Sequence, residues 1–579
     1  MNCPSRNDEV LEHDGWNQSP NSLAGDMTTR SDLNGIANLR LRRSSFHSDP
    51  TALVDVLERG ADGPDETKAH EKSLPSGQSL IIPNESSQES LAVSLNEQQT
   101  PGISSSMSFK QFLRRAGQIL FKFGKFIGPG FMISVAYIDP GNYSTDVSAG
   151  AATRFHLLFI IFMSNLFAVV LQILAVRLGT VTGLNLAEMC RAHLPSWLNI
   201  ILYILAEAAI IATDIAEVIG SAIALNLLIK VPLVAGCAIT LVDVLIILIF
   251  YSPKGSLRGL RAFELFVAAL VLGVVICFCI QLSLIKDTSV GEVFMGYLPS
   301  STIIKGQGIY LSCGILGATV MVHSLYLGSG LCQSRLREHD ITSGAFSPGS
   351  NSSTNDEKEP YIPSIAAIKS CLTYSIVELV FSLCFFALFV NSAILIVAGA
   401  SLSTVAGAQD ADLFGVYNLL SKTMAPIAGT IFALALLLSG TSAGIVATIA
   451  GQMVSEGAIH WTMAPWLRRL LTRSISIMPS IIIAAAIGRD GLSAALNGTQ
   501  VALSVILPFT SAPLIYFTAR NKYMTVHTPR RDEDDELEVN APGIKMRNHW
   551  ALTAFAVLSW IIITIMNIAL LVLIGLGAA

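Results

Sequence analysis

The sequence predicts an all-α integral membrane protein, an inverted five-plus-five helix repeat with an additional eleventh transmembrane helix. Three observations predict it. Hydrophobic residues make up 52% of the 579 and charged ones only 14%, against about 25% charged in soluble domains, and the apolar residues fall in long unbroken runs that suit lipid as solvent. Basic residues gather in alternate connections between those runs. Finally, the first and sixth runs, five helices apart, are both interrupted.

Taken in order, residues 1–117 are polar, rich in Ser, Asn and Asp and without sustained period, and read as a disordered cytosolic tail in which no secretory leader is expected. Runs long enough for a hydrocarbon core of about 20 residues per helix lie near 119–153, 157–179, 198–228, 231–251, 263–285, 307–334, 368–399, 424–459, 470–488, 499–519 and 549–576. The first repeat is placed at 118–285 and the second at 286–520, with a flexible Ser/Asn/Pro/Gly-rich cytosolic connection at 338–360. A cytosolic loop at 521–548, carrying the acidic run Asp532 to Glu536, precedes the eleventh helix at 549–579.

With the N-terminus inside, the inner connections hold Arg177, Arg191, Lys254, Arg258, Arg261, Arg335, Arg337, Arg468, Arg469, Arg473, Arg520, Lys522, Arg530, Arg531, Lys545 and Arg547. The outer ones hold only Arg154, Lys230, Lys286, Lys305, Lys422 and Arg489. This positive-inside bias recurs loop after loop and places the C-terminus outside. Charge sits in loops and tails, so the net −5 describes no single surface, and no basic body points to nucleic acid. The cysteines lie mostly inside apolar runs with no CxxC or Cys/His spacing, and read as small membrane-helix residues.

The first run contains Asp139-Pro140-Gly141-Asn142. Proline removes a backbone donor and biases the preceding residue away from the helical region, and glycine weakens the next turn. Unwound backbone at that depth is tolerated only where it lines a cavity or is buried in protein. The sixth run is weakened by Gly306, Gly308, Gly314, Gly317, Gly328 and Gly330 around Met321 and His323. An odd repeat length sends the second copy into the membrane from the opposite side, and paired interrupted helices point to a midplane ion or substrate site.

Asp139 carries the most information, because a mid-membrane carboxylate needs a partner. It either caps the second half-helix or ligates a cation, with the amide oxygen of Asn142 beside it. Met321 is either packing or, opposite Asp139, a soft sulfur donor that favours transition metals over Ca²⁺ and Mg²⁺. His323 is either a satisfied core imidazole or, in an aqueous vestibule, a proton carrier. Glu207, Asp214 and Glu217 share roughly one face of the third span, with Arg473 of the ninth as counter-charge. They read as a wet proton route or as a static interhelical ion pair. Glu264 and Glu378 remain unassigned.

These residues also carry a resemblance. Ala136-Tyr137-Ile138-Asp139-Pro140-Gly141-Asn142 is similar to the first-helix metal motif of the Nramp divalent-metal transporters, in a fungal version. Ala318 to Leu327 resembles that family's sixth-helix motif, and Thr213 to Gly220 its third-helix acidic motif. Ser439-Gly440-Thr441-Ser442 with Ala450 to Gly457 resembles its eighth-span signature, and Leu496 to Gln500 ahead of Leu507-Pro508-Phe509 its tenth-helix segment. The resemblance covers about 118–576. It implies a LeuT-like fold with metal held by Asp139, Asn142, Met321 and the carbonyls of Ala136 and Ala318, joined by Gln500 in an occluded state, with Asn497 a further candidate. It implies coupling through His323, Glu207, Asp214, Glu217 and Arg473.

The expected protein is a monomeric, proton-coupled importer of Mn²⁺ or Fe²⁺ in a plasma, endosomal or vacuolar membrane, with no enzymatic activity and no cofactor. Val322 departs from the family's proline, and valine can continue a helix, so local sequence does not force a break there. Thr441 stands where the family often has glutamine. Three other functions fit parts of the chain. A non-transporting metal sensor would use the long tail, and a Na⁺-coupled organic-solute carrier would share the architecture but give Met321 no task. An intramembrane aspartyl protease would need Asp139 and Asp214 facing, without the Gly-x-Gly-Asp that such sites carry.

Overall fold

The computed structural model describes residues 128–249, 257–286, 288–305, 307–345, 361–405, 407–408, 411–459, 465–526 and 543–576. The N-terminal tail, residues 346–360 of the connection after the sixth span and the acidic run at 532–536 lie outside the described residues.

Among the described residues the chain is helical apart from one two-residue strand pair. Span one is α1 (Pro129–Val135) and α2 (Pro140–Thr153), and span two is α3 (Leu158–Thr182). A short helix α4 (Leu186–His193) leads into span three, α5 (Ser196–Ile229). Spans four and five are α6 (Leu233–Ile249) and α7 (Leu257–Ser283), followed by the short α8 (Val290–Met295). Span six is α9 (Gly308–Thr319) and α10 (Val322–Thr342). Span seven is α11 (Ile365–Ser382), a π-helical turn at Leu383–Ala387, and α12 (Leu388–Ser401). The outer helix α13 (Leu413–Thr423) precedes spans eight to ten, which are α14 (Pro426–Ile459), α15 (Pro465–Ala486) and α16 (Arg489–Ala519). Strands β1 (Thr525–Val526) and β2 (Ile544–Lys545) pair antiparallel before span eleven, α17 (Trp550–Gly575).

Eight of these helices among the described residues are long and apolar enough to cross a membrane. The interrupted first span and the shorter α6 and α15 complete the eleven-span pattern. Boundaries differ from the sequence reading at several helix ends, most at α16 and α10. Helix α16 begins at Arg489, ahead of the polar stretch Ser493 to Gly498 that the hydropathy reading placed outside the span, and α10 continues to Thr342. Helices α4 and α13 were hidden because amphipathic helices in connections leave no apolar run. Their caps are local, however. Asn185 and Glu188 form a reciprocal capping box, and Asp412 accepts from Gly415 N.

Packing follows the burial of each helix. Helix α14 runs along α5, α2 along α12, and α10 along α3. The two interrupted spans are the most enclosed part of the bundle: Met132, Tyr137, Asp139, Asn142, Ala318, Met321 and His323 are all buried. By contrast α17 turns Ile561, Ile565, Ile568, Leu571 and Val572 outward, as a lipid-facing helix does. The chain's return into α17 is fixed by Arg177, whose guanidinium donates to Asn548 Oδ1 at 2.7 Å and Met546 O at 3.0 Å.

Candidate metal site

Helix α1 ends in a tightened turn, with Ala136 N, Tyr137 N and Ile138 N donating three residues back. Asp139 then takes an extended backbone (φ −121°, ψ 164°) and caps α2, its Oδ1 accepting from Asn142 N at 3.0 Å. The capping role foreseen for this aspartate is therefore present, and it uses only one oxygen. Oδ2 is buried with no hydrogen-bond partner among the described residues.

The second break lies at Val320 (φ −94°, ψ 82°) and Met321 (φ −75°, ψ 126°), between α9 and α10. Val322 does not carry the helix through. The ends of the two breaks meet at Asn142. Its Nδ2 donates to Asp139 Oδ1 at 2.6 Å, Tyr137 O at 3.1 Å and Ala318 O at 3.2 Å, while its Oδ1 accepts from Thr319 Oγ1 at 3.5 Å. Three oxygens from both interrupted spans thus converge on one amide nitrogen. The carbonyl contributed beside Asp139 in this conformation is that of Tyr137, and Ala136 stands at the C-cap of α1.

Gln500 closes the cluster from α16. A Cβ on Gly141 would run into the Gln500 side-chain amide, so a larger residue at 141 would have to displace that amide from the cluster. Gln500 Oε1 is buried and unpartnered among the described residues. One turn away Ser144 donates to Asn497 Oδ1 at 2.6 Å, on the solvent-accessible side of α16. Met321 is fully buried at the N-cap of α10, and its carbonyl accepts from Ser324 Oγ at 2.6 Å.

His323 is buried beside α5, with Nδ1 3.4 Å from Thr213 Oγ1 and Nε2 unpartnered among the described residues. It does not stand in an open aqueous vestibule in this conformation. One residue along α5, Asp214 and Glu217 share Arg473 of α15: the guanidinium donates to Asp214 Oδ1 and, at 3.3 Å, to Glu217 Oε2. All three are buried, whereas Glu207 is half-buried two turns earlier with Oε1 unpartnered among the described residues. The third-span acids therefore form a line from a half-buried carboxylate to a paired couple and, through Thr213, to the histidine of span six.

Sequence reasoning missed the groups that hold the breaks open. Asn391 Nδ2 donates to Tyr137 O at 3.1 Å, and Ser439 Oγ to Ile138 O at 2.7 Å. Gln172 Nε2 donates to Tyr137 OH at 2.9 Å and to Ser324 Oγ at 2.8 Å. Ser439 opens the eighth-span signature, whereas Asn391 and Gln172 are lone polar residues in apolar runs that neither motif nor spacing distinguishes. Asp146, two turns beyond Asp139 on α2, is fully buried with both oxygens unpartnered among the described residues. The unassigned acids find partners: Glu378 accepts from Gly128 N at 2.7 Å and Gly130 N at 3.1 Å at the start of α1, and Glu264 pairs with Arg335 at 2.7 Å.

Among the described residues no three His, Cys, Asp or Glu side chains gather as a metal cluster. What the described residues bring to the junction is one carboxylate, Asp139, with the amides of Asn142 and Gln500 and the carbonyls of Tyr137 and Ala318.

The family model for natural resistance-associated macrophage protein-like proteins (Nramp) matches residues 130–532. A manganese transporter of Saccharomyces cerevisiae is 49% identical over 511 residues, covering 81% of this chain and 88% of its own. An iron transporter of the same yeast is 49% identical over 481 residues, covering 80% and 99%. The crystal structure of an Eremococcus coleocola manganese transporter matches at 32% identity with a TM-score of 0.62, covering 76% of this chain and 85% of its own. With the family model spanning both breaks and all but the last span, this chain belongs to the Nramp family.

Proposed function

We propose that the protein carries a divalent transition metal, Mn²⁺ or Fe²⁺, across a membrane into the cytosol together with protons. One observation carries the reading: Tyr137 O, Asp139 Oδ1 and Ala318 O lie 2.6–3.2 Å from a single amide nitrogen, at the junction of two unwound spans. A cation at that junction takes over the role of shared partner once the Asn142 amide turns its oxygen inward. Asp139 supplies the charge, Asn142 and the carbonyls near both breaks (Ala136 or Tyr137, and Ala318) supply oxygens, and Met321 at the second break supplies sulfur. The oxygens alone would suit Ca²⁺ or Mg²⁺; the thioether biases the set toward softer ions. Gln500, whose Oε1 has no partner among the described residues, completes the shell when α16 closes over Gly141.

Protons take a second path. His323 touches the Asp214 turn through Thr213, and Asp214, Glu217 and Arg473 form a buried set that can exchange a proton without crossing the metal position. Glu207, half-buried, is the end of that line in contact with water. The transport unit is one chain with its N-terminus in the cytosol, as the basic inner connections support.

The test is flux in proteoliposomes holding the full-length chain, measured for Mn²⁺, Fe²⁺, Zn²⁺ and Ca²⁺ with and without a pH gradient. Transition-metal uptake accelerated by an acidic outer side, with Ca²⁺ excluded, is expected. Metal binding without flux would instead describe a sensor, and metal flux indifferent to the gradient would remove the protons.

A further inference from the structure

Helix α17 faces lipid over most of its surface, yet its buried stripe of Ala556, Ser559, Ile563, Asn567 and Leu570 contains an asparagine. An amide in a membrane helix is costly unless its hydrogen bonds are made. Asn567 makes them locally and across the bundle: Nδ2 donates to Ile563 O at 2.9 Å, and Oδ1 accepts from Ser504 Oγ of α16 at 2.6 Å. The neighbouring carbonyl, Met566 O, accepts from Cys313 Sγ of α9 at 3.4 Å. Two successive residues of α17 therefore bond to the two helices that flank the candidate metal site.

The bonded point on α16 is a mechanically weak one. Pro508 has no N–H, so the Ser504 carbonyl lacks its helical donor, and Pro513 repeats the defect a turn later. Trp560 Nε1 donates to Pro508 O at 2.8 Å, one helical stretch below Asn567. Gln500 sits one turn above Ser504. On the opposite side, a Cβ on Gly317 of α9 would fall 2.5 Å from Gln500 O and 2.8 Å from Ser504 Cβ. The segment 500–504 is thus clamped between Gly317 of the sixth span and Asn567 of the eleventh.

We propose that α17 is a brace for the metal site: Asn567, assisted by Trp560, is a positioning residue that seats the proline-weakened α16 against α9 and so sets where Gln500 meets the ion. The proposal rests on Gln500 as an occluding ligand. The eleventh helix, which lies outside the paired repeats, acts through hydrogen bonds on span ten and span six rather than as inert lipid-facing mass.

The experiment uses the full chain in proteoliposomes and compares Mn²⁺ uptake kinetics of Asn567→Ala, Ser504→Ala, Trp560→Phe and Gln500→Ala, singly and with Asn567→Ala in the Gln500→Ala background. Removing a residue that orients a ligand costs about 10- to 100-fold in affinity, so Asn567→Ala should raise KM about tenfold while turnover falls less. Ser504→Ala, which leaves α17 untouched, should reproduce it, and Trp560→Phe should act in the same direction. In the Gln500→Ala background the further rise should shrink to about twofold or less, because coupled residues are non-additive. An equal proportional rise in both backgrounds would overturn the proposal.

A readout without metal runs in parallel. Spin labels at the exposed Gln307 and Ala494, with Cys3, Cys279 and Cys384 replaced by serine, report the spacing of the outer ends of α9 and α16. Asn567→Ala should broaden that distance distribution and Gln500→Ala should leave it as in the parent. An unchanged distribution in Asn567→Ala refutes the brace. If Gln500→Ala leaves KM unchanged, the ligand assignment fails, and the label distances still decide the brace.

Discussion

The two helix breaks at the candidate site look alike in backbone path and differ in what enforces them. The first is written locally. Pro140 and Gly141 bar a continuous helix, and Asp139 caps the new one. The second contains no proline, and Val322 has the conformational means to continue a helix. Neighbours hold it open instead: the Asn142 amide takes the Ala318 carbonyl, Ser324 takes the Met321 carbonyl, and α16 presses on Gly317. A locally encoded break survives any rearrangement of the bundle. A break held by tertiary contacts exists only while those contacts do, which makes the sixth span the responsive half of the pair.

The strongest way to break this comparison is to remove the residue both halves share through Asn142. Asp139→Ala deletes the carboxylate that stands at the junction and the cap of α2. Uptake of Mn²⁺ should fall by about 100-fold or more, exceeding the loss typical of an outer-shell partner, while the protein still inserts. Full retained uptake would refute the ligand assignment.

The conditional nature of the second break is sharpened by Gly317→Ala. The added methyl would sit 2.5 Å from a backbone oxygen of α16, and overpacking of this kind costs about 1–3 kcal/mol. Gln500 should move with α16, and uptake should fall about tenfold. Gly314→Ala is the control, since its methyl would meet nothing nearer than Thr145 Cγ2 at 3.4 Å; it should stay close to the parent. Equal losses in both would mean that helix crowding in general, and not the α16 contact, is responsible.

This difference also explains what the sequence disclosed. Asp139-Pro140-Gly141-Asn142 is legible because proline and glycine act on their own backbone. Hydropathy and basic-residue bias likewise exposed the span count, since lipid acts on each run separately. Asn391, which donates to a backbone carbonyl, and Gln172, which donates to two hydroxyls, were illegible because each is one polar residue in an apolar run, and Ser439, though part of a motif, gave no sign of its target carbonyl 301 residues away. The same holds for Asn567 and Glu378, whose roles exist only once helices pack. The start of α16 lies ahead of the apolar run at 499–519 because Ser493 and Asn497 lower the hydropathy of a helix that continues through them.

Selectivity tests whether the two breaks contribute different chemistry. Asp139 and Asn142 belong to the first and offer oxygen, whereas Met321 belongs to the second and offers sulfur. Met321→Ala should weaken Mn²⁺ uptake only a few-fold, about threefold to tenfold, because several hard donors remain. Rejection of Ca²⁺ and Mg²⁺ should relax by more than that, read as competition against Mn²⁺ flux. Unchanged competition would show that the thioether is packing.

The smallest effect should come from giving the second break the proline it lacks. Met321 already has the extended backbone that a residue before proline requires, and Val322 occupies the first position of α10, where proline is tolerated. Val322→Pro should therefore fit the observed conformation, with stability raised by at most about 0.4–1 kcal/mol and KM changed by about twofold or less. Turnover should shift more than affinity, because a break that can close during the cycle is now fixed open. A large rise in KM would mean that proline distorts the junction and that the neighbours, not the local chain, choose a geometry at 321–322 which proline cannot adopt.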